Sequence, residues 1–124
     1  AQQEELHKAQ LALSAEAALK SQSEDDKRDS TLIDEGKKLI GMKLGCMDCH
    51  KFREYGEPGS APDLTGFATR VWLIAFISDP AHSRFFGANN DRMPSYGPEK
   101  ILTDKEIGLV TDWLRGEWFV PQKK

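Results

Sequence analysis

The sequence contains two cysteines, and both lie in one five-residue stretch, Cys46-Met47-Asp48-Cys49-His50. This is the C-x-x-C-H pattern of c-type haem attachment. Each thiol adds to one vinyl group of the macrocycle, and the adjacent imidazole is held beneath the iron as the proximal ligand. The spacing suits this chemistry because two thiols must reach two vinyls while the next side chain turns towards the centre. The motif therefore predicts one covalently bound haem c, held by Cys46, Cys49 and His50.

Two other uses of paired cysteines fit the sequence less well. A thioredoxin-like redox pair occurs in a βαβ context, and no such pattern is visible. A zinc site needs further ligands, and the remaining histidines are His7 and His82. We keep both as the weaker alternatives.

Length and composition indicate a small domain that carries a cofactor. The 124 residues allow one domain with an appendage, and 39% hydrophobic content is modest for a large protein-only core. No apolar run has transmembrane length, and no basic stripe indicates nucleic acid. Because c-type haem is attached outside the cytoplasm, we expect a periplasmic location or the outer face of a bacterial inner membrane. Ala1 is interpreted as a processed or excised end.

The chain is predicted to divide near residue 30. Residues 1–30 read as a polar helical spacer or tether, with an alanine-rich helix over 2–23 and a charged linker from Ser21 to Asp29. The apolar stripe of this helix is thin, so its removal is expected to cost little stability. A coiled-coil or docking helix is the alternative. Residues 31–124 are predicted to form the haem domain.

Two helices are predicted in the first two thirds of that domain. The first begins at a capping box of Thr31 and Asp34 and runs to about Lys43. The second covers 70–78 and is apolar nearly all round. A strand would fit the same pattern, but no partner strand exists elsewhere, so we predict a buried helix.

A last helix is predicted near the C-terminus. It begins at a capping box of Thr103 and Glu106 and ends at Gly116 or Pro121. Glycines and prolines predict two long loops, over residues 54–68 and 80–100.

An electron-carrying haem usually needs a sixth ligand, and the candidates are Met42, Met47, Met93, His7 and His82. Met47 lies inside the attachment motif, Met42 lies on the helix that enters the proximal face, and His7 lies in the spacer. Met93 lies in a Met-Pro loop that can cross the distal face, so it is the predicted ligand. His82 is the alternative ligand, and Met93 as a simple apolar gap filler is the alternative interpretation.

From about Thr31 to Pro121 the sequence resembles class I cytochrome c. The shared order is helix, CMDCH, a loop with Pro62, helix, Met-Pro loop and a C-terminal amphipathic helix. The resemblance implies an all-α fold of three to five helices wrapped around one covalently bound haem. Here that fold would carry an N-terminal helical extension.

The resemblance also implies two finer contacts. Ala61-Pro62-Asp63-Leu64 is similar to the family segment whose proline carbonyl accepts the Nδ1 proton of the proximal histidine, here His50. Gly36 resembles the small residue of the first helix that lets the last helix cross closely, and Trp113 or Leu114 would be its partner.

A narrower resemblance is to the cytochrome c domains fused or bound to cytochrome b in bacterial bc-type quinol-oxidising complexes. The stretches WLIAFISDPAHSRFFGANNDRMPSYG and DWLRGEWF are similar to such domains. This implies an electron carrier, not an enzyme, that serves a respiratory chain as a domain or subunit of a quinol:cytochrome c oxidoreductase. Its partners would be the bc-type complex and a later cytochrome or terminal oxidase. Membrane association would come only through an unseen tether or a partner subunit.

Four further side chains are predicted to bind the haem. Trp72 and Tyr96 each have a polar group that could bond a propionate. Arg70 and Arg92 could neutralise the propionates, and solvated surface arginines are the alternative.

Two other functions stay open at this point. One is a gas sensor or catalytic haem site with an open or weakly held sixth position, for which His82 or Arg92 would be the distal group. The other is an interaction module in which the haem is structural.

Overall fold

The computed structural model describes residues 1–117, and within that range it is all-α with no strand. The α-helices are α1 (Gln2–Glu16), α2 (Ser23–Arg28), α3 (Ser30–Met42), α4 (Arg70–Ser78) and α5 (Asp104–Leu114). Short 3₁₀ turns lie at Lys20–Gln22, Cys46–Asp48 and Gly87–Asn89. Among these residues no helix combines the length and the hydrophobicity that crossing a membrane requires. The predicted all-α class is confirmed.

The chain forms two compact units. The N-terminal unit is Ala1–Thr69, and the C-terminal unit begins at Arg70. This division differs from the boundary predicted near residue 30, because α1 packs on α3 inside the N-terminal unit. The assignment of haem binding to residues 31–124 alone stays a prediction.

The N-terminal unit is built on the contact between α1 and α3. Its buried core consists of Ala9, Ala12, Ile33, Ile40 and Phe52. Ala9 and Ala12 are three residues apart and so share one face of α1, which lets the two helix backbones approach closely. The α1 helix is thus part of a packed core, in contrast to the solvated spacer that its composition suggests.

The two helices approach closely at Gly36. A Cβ at this position would lie 2.6 Å from the carbonyl carbon of Lys8 and 3.0 Å from Cβ of Ala12. Within the N-terminal unit, the helix against Gly36 is therefore α1. The contact of Gly36 with Trp113 or Leu114 of the last helix, which the resemblance implied, stays a prediction.

Two predicted helix ends in this unit are wrong. The helix predicted over 2–23 ends at Glu16, because Ala18 adopts the left-handed conformation (φ 52°) and Leu19 is extended. The predicted Thr31–Asp34 capping box does not form. Instead, α3 begins at Ser30 with Asp29 as its N-cap and no side-chain cap bond, so Thr31 already lies within the first helical turn.

The C-terminal unit pairs α4 with α5. Helix α4 has the predicted bounds, and α5 begins at the predicted capping box. The Thr103 amide donates to Oε1 of Glu106 over 2.9 Å, and the Glu106 amide donates to Oγ1 of Thr103 over 3.2 Å. Gly116 follows the helix with a φ of 71°, a left-handed conformation that glycine adopts easily. Pro121, the other predicted end, lies outside the described residues.

Aromatic side chains fill the space beside α4. Trp72 stacks on Phe76 with ring centroids 5.2 Å apart and meets Phe85 edge-on at 5.3 Å. Phe86 lies 5.8 Å from Phe76. Such pairs add about 0.5–1.5 kcal/mol beyond the area that they bury. They hold α4 against the loop that leads towards Met93.

Candidate functional site

The attachment motif forms a single tight turn at the end of α3. Gly45 takes the left-handed conformation (φ 78°), and a 3₁₀ turn follows over Cys46–Asp48. The amide of His50 donates to the carbonyl of Cys46 over 3.0 Å, which closes the turn. The two cysteines are not joined in a disulfide; Cys46 is half-buried and Cys49 is exposed. Two thiols and one imidazole therefore come from one rigid segment.

The imidazole of His50 is oriented by a backbone carbonyl. Its Nδ1 lies 2.6 Å from the carbonyl oxygen of Pro62. Since a carbonyl oxygen can only accept, Nδ1 carries a proton and donates it, which leaves Nε2 as the ring nitrogen that can bind a metal. A hydrogen bond of this kind fixes the ring of a metal-binding histidine and raises its basicity. The contact that the resemblance implied is therefore present.

The loop that carries Pro62 is tied to the attachment turn at several points. The amide of Ala61 donates to the carbonyl of Cys49 over 3.2 Å, and the amide of Leu64 donates to the carbonyl of Lys51 over 2.8 Å. Gly59 lies so close that a Cβ there would be 2.8 Å from the carbonyl oxygen of Cys49. The position of Pro62 is thus set by bonds on both sides of it.

A cavity of about 610 Å³ borders Cys46. Apolar side chains from α1, α3 and the later loop form most of its walls: Leu6, Ala9, Leu13, Ile40, Leu44 and Phe67. This cavity borders Cys46 but not His50, so it gives apolar surroundings to the first thiol alone. Two thiols and a histidine on one turn, with Nδ1 of the histidine bonded to Pro62 and Nε2 left to bind iron, suit a covalently attached haem. The residues present therefore fit this cofactor.

Met93 and Trp72 belong to the C-terminal unit. Met93 is half-buried, and its carbonyl accepts a hydrogen bond from Nδ2 of Asn90 over 2.9 Å, which anchors the backbone of the loop. Trp72 is buried in the aromatic cluster with Phe76 and Phe85. Their roles as distal ligand and propionate donor stay predictions.

The two arginines predicted to meet propionates have carboxylate partners. Nε of Arg70 lies 2.8 Å from Oδ1 of Asp112, and this hydrogen bond raises the pKa of Arg70 and lowers that of Asp112. Arg92 is exposed and lies 3.3 Å from the carboxylate of Asp91. Tyr96 is half-buried, and its backbone carbonyl accepts hydrogen bonds from the amides of Ile101 and Leu102. Arg70 therefore has a structural role in joining α4 to α5, and propionate binding by these three residues stays a prediction.

The other candidate iron ligands lie in different surroundings. Met42 is 70% exposed on α3, and Met47 lies against Gly56 within the attachment segment. His7 is exposed on α1. The Nδ1 of His82 accepts the amide proton of Arg84 over 3.0 Å, so this ring has a local partner in its own loop.

The burial of Glu16 was not predicted from the sequence. Its side chain is 3% exposed, at the end of α1. It follows Ala9 and Ala12 at seven and four positions, so it lies on the same buried face of the helix. That spacing was the available signal, but a glutamate in a polar helix is normally interpreted as solvated.

Comparison with known families identifies the chain. The cytochrome c family model matches residues 33–118, a range that includes the attachment motif, Pro62 and Met93. The chain belongs to the cytochrome c family. Neither a curated protein nor a solved structure gave a significant match.

Family membership establishes the cofactor and the class of function. The protein carries one covalently bound haem c, transfers electrons through it, and is an electron carrier and not an enzyme. Such a carrier exchanges electrons with redox partner proteins, and cytochrome c domains are typically extracytoplasmic.

Proposed function

We propose that this protein is a one-electron carrier whose haem iron is bound by His50 and Met93. We further propose that it serves a respiratory chain outside the cytoplasm, between a bc-type quinol-oxidising complex and a later cytochrome or terminal oxidase. The hydrogen bond from Nδ1 of His50 to the carbonyl of Pro62 carries the proposal.

The hydrogen bond between His50 and Pro62 suits a haem iron whose oxidation state changes while its ligands stay in place. When bound, the haem supplies a single-electron couple between ferric and ferrous iron. The chain contributes a proximal nitrogen that is fixed in tautomer and direction, since the carbonyl of Pro62 cannot donate a proton. A ring held in this way lowers the structural change that accompanies each transfer.

Met93 is supported as the distal ligand by its loop and by the state of its competitors. Its backbone is anchored by Asn90, and Pro94 restricts the backbone of the residue before it, which is Met93 itself. Met42 is mostly exposed on the helix that leads into the attachment turn, and the ring of His82 is bonded within its own loop. A thioether paired with an imidazole raises the reduction potential, as a carrier late in a respiratory chain requires.

The link to a bc-type complex depends on the resemblance of the segment from Trp72 to Gly97. Under this proposal the chain is a domain or subunit of a quinol:cytochrome c oxidoreductase, and a tether or partner subunit holds it at the membrane. Its direct partners are then the iron–sulfur protein that supplies the electron and the cytochrome or oxidase that accepts it.

A spectroelectrochemical titration tests the carrier function. The haem-loaded protein should show a reversible one-electron couple, and the ferrous form should not bind carbon monoxide, because both axial positions are filled. Binding of carbon monoxide by the unmodified ferrous protein would favour a gas-sensing or catalytic haem with an open sixth position. Loss of reversibility would favour a structural haem.

A further inference from the structure

Glu16 joins the end of α1 to the loop that holds the proximal histidine. Its Oε1 accepts from Nε and Nη2 of Arg53, over 3.0 and 2.8 Å. Its Oε2 accepts from the backbone amide of Gly66 over 2.7 Å. Both carboxylate oxygens are therefore used, as the burial of an ionised group requires.

Arg53 and Gly66 are the two ends of one loop, which we call the Pro62 loop (residues 53–66). The amide of Arg53 also donates to Oγ1 of Thr65 over 2.7 Å, so the two ends lie side by side. Arg53 has a positive φ of 55°, a conformation that costs a non-glycine residue energy. Bonds to its side chain and to its amide hold it there.

We propose that Glu16 is a positioning residue for the proximal ligand. By holding both ends of the Pro62 loop it keeps the carbonyl of Pro62 within bonding distance of Nδ1 of His50. The inference rests on the proposed function in taking His50 as an iron ligand. Glu16 lies outside the range that the family model matches, so this support comes from the N-terminal extension.

The Nδ1 proton of His50 gives a direct measurement. In the diamagnetic ferrous protein its exchange with solvent can be followed by NMR. Glu16→Gln removes the charge that holds Arg53, and it should speed this exchange about tenfold, because the loop opens more often. The matched control is Glu4→Gln, which makes the same charge change on the same helix at a side chain that is 80% exposed. The control should exchange at the rate of the unmodified protein.

Arg53→Gln separates positioning from simple electrostatics. It removes the same contact from the other partner but changes the net charge in the opposite direction. Positioning predicts faster exchange in both Glu16→Gln and Arg53→Gln. Arg28→Gln, on the exposed face of α2, controls for the loss of a positive charge.

The outcomes decide between the accounts. The inference is overturned if the Nδ1 proton of His50 exchanges at the unmodified rate in both Glu16→Gln and Arg53→Gln. It is also overturned if exchange becomes faster in one of these variants and slower in the other, because the effect would then follow the change in net charge. A lower melting temperature with unchanged exchange would make Glu16 a purely structural anchor and would also overturn it. If Glu16→Gln does not retain haem, Arg53→Gln gives the answer. If the unmodified protein shows no iron-bound imidazole, the proposed function itself fails, whatever the variants do.

Discussion

Gly36 of α3 lies against Ala12 of α1, so closely that a Cβ on the glycine would be 3.0 Å from that of the alanine. Helices that approach at this distance share one buried face. Helix α1 is therefore part of the core of the N-terminal unit, which contains the attachment motif, even though α1 precedes the range that the family model matches.

Removal of residues 1–29 should destabilise the protein, contrary to what the composition of the segment suggests. Ile33 and Ile40 would lose their cover, and each buried side chain of this size contributes about 1.5–3 kcal/mol, so we expect a loss of roughly 3–6 kcal/mol. Denaturant unfolding of the haem-loaded protein measures it. An unchanged free energy of unfolding would show that α1 is a spacer after all.

Gly36→Ala tests the close approach itself. Alanine favours a helix over glycine by about 1 kcal/mol, yet the new methyl group would overlap the carbonyl of Lys8, a backbone atom that cannot turn aside. We expect a net loss of about 1–3 kcal/mol on unfolding. Gly108→Ala in α5 is the matched control, because there the methyl group meets the flexible end of Arg70. The idea fails if both variants gain stability equally.

Covalent attachment can be assigned to each thiol separately. Cys46→Ala and Cys49→Ala should each retain haem through one thioether, with less of the protein loaded. The double variant should release all its haem into the organic layer on acid–acetone extraction. Intact mass reports the bound fraction directly. Retention of haem by the double variant would place the attachment elsewhere.

The capping box of α5 predicts one part of the acid sensitivity. The hydrogen bond from the Thr103 backbone lowers the pKa of Glu106 below its usual value of 4.5. A carboxyl whose pKa is lower in the folded state contributes stability above its unfolded pKa, and this contribution is lost as the pH falls through the folded pKa. Glu106→Gln should therefore lower stability at pH 7 and make it less dependent on pH below about 4.5. Glu24→Gln on α2 is the control, and an equal change in both would contradict a specific role for the cap.

Local signals in the sequence were enough to predict several elements. Three elements depend only on residues close together in the chain: the CMDCH turn, the apolar helix α4 and the Thr103–Glu106 capping box. A local sequence pattern is enough to predict such elements. The bond between His50 and Pro62 was predicted by resemblance, since the two residues are twelve positions apart and no local pattern links them.

Other features depend on contacts that no local pattern contains. Alanine contributes little to a hydrophobic stripe. In the sequence, Ala9 and Ala12 therefore indicate helix propensity and give no sign that they pack in a core. Ala18 adopts a left-handed conformation that its residue type does not favour, and this ends α1 earlier than predicted. Glu16 finds Arg53 and Gly66 at sequence distances of 37 and 50, so its burial follows only from the fold.

The ligation of the iron by His50 and Met93 is the central claim, and the ferric absorption spectrum tests it most directly. A weak near-infrared band from sulfur-to-iron charge transfer is the usual mark of Met/His ligation. Met93→Ala should abolish that band, lower the reduction potential and open the iron to cyanide, whereas Met42→Ala should leave all three unchanged. Met93→His should restore a low-spin spectrum at a lower potential, because imidazole favours ferric iron more than a thioether does. A band and a potential that survive in Met93→Ala would contradict the account, and His82 would then be the next ligand to replace.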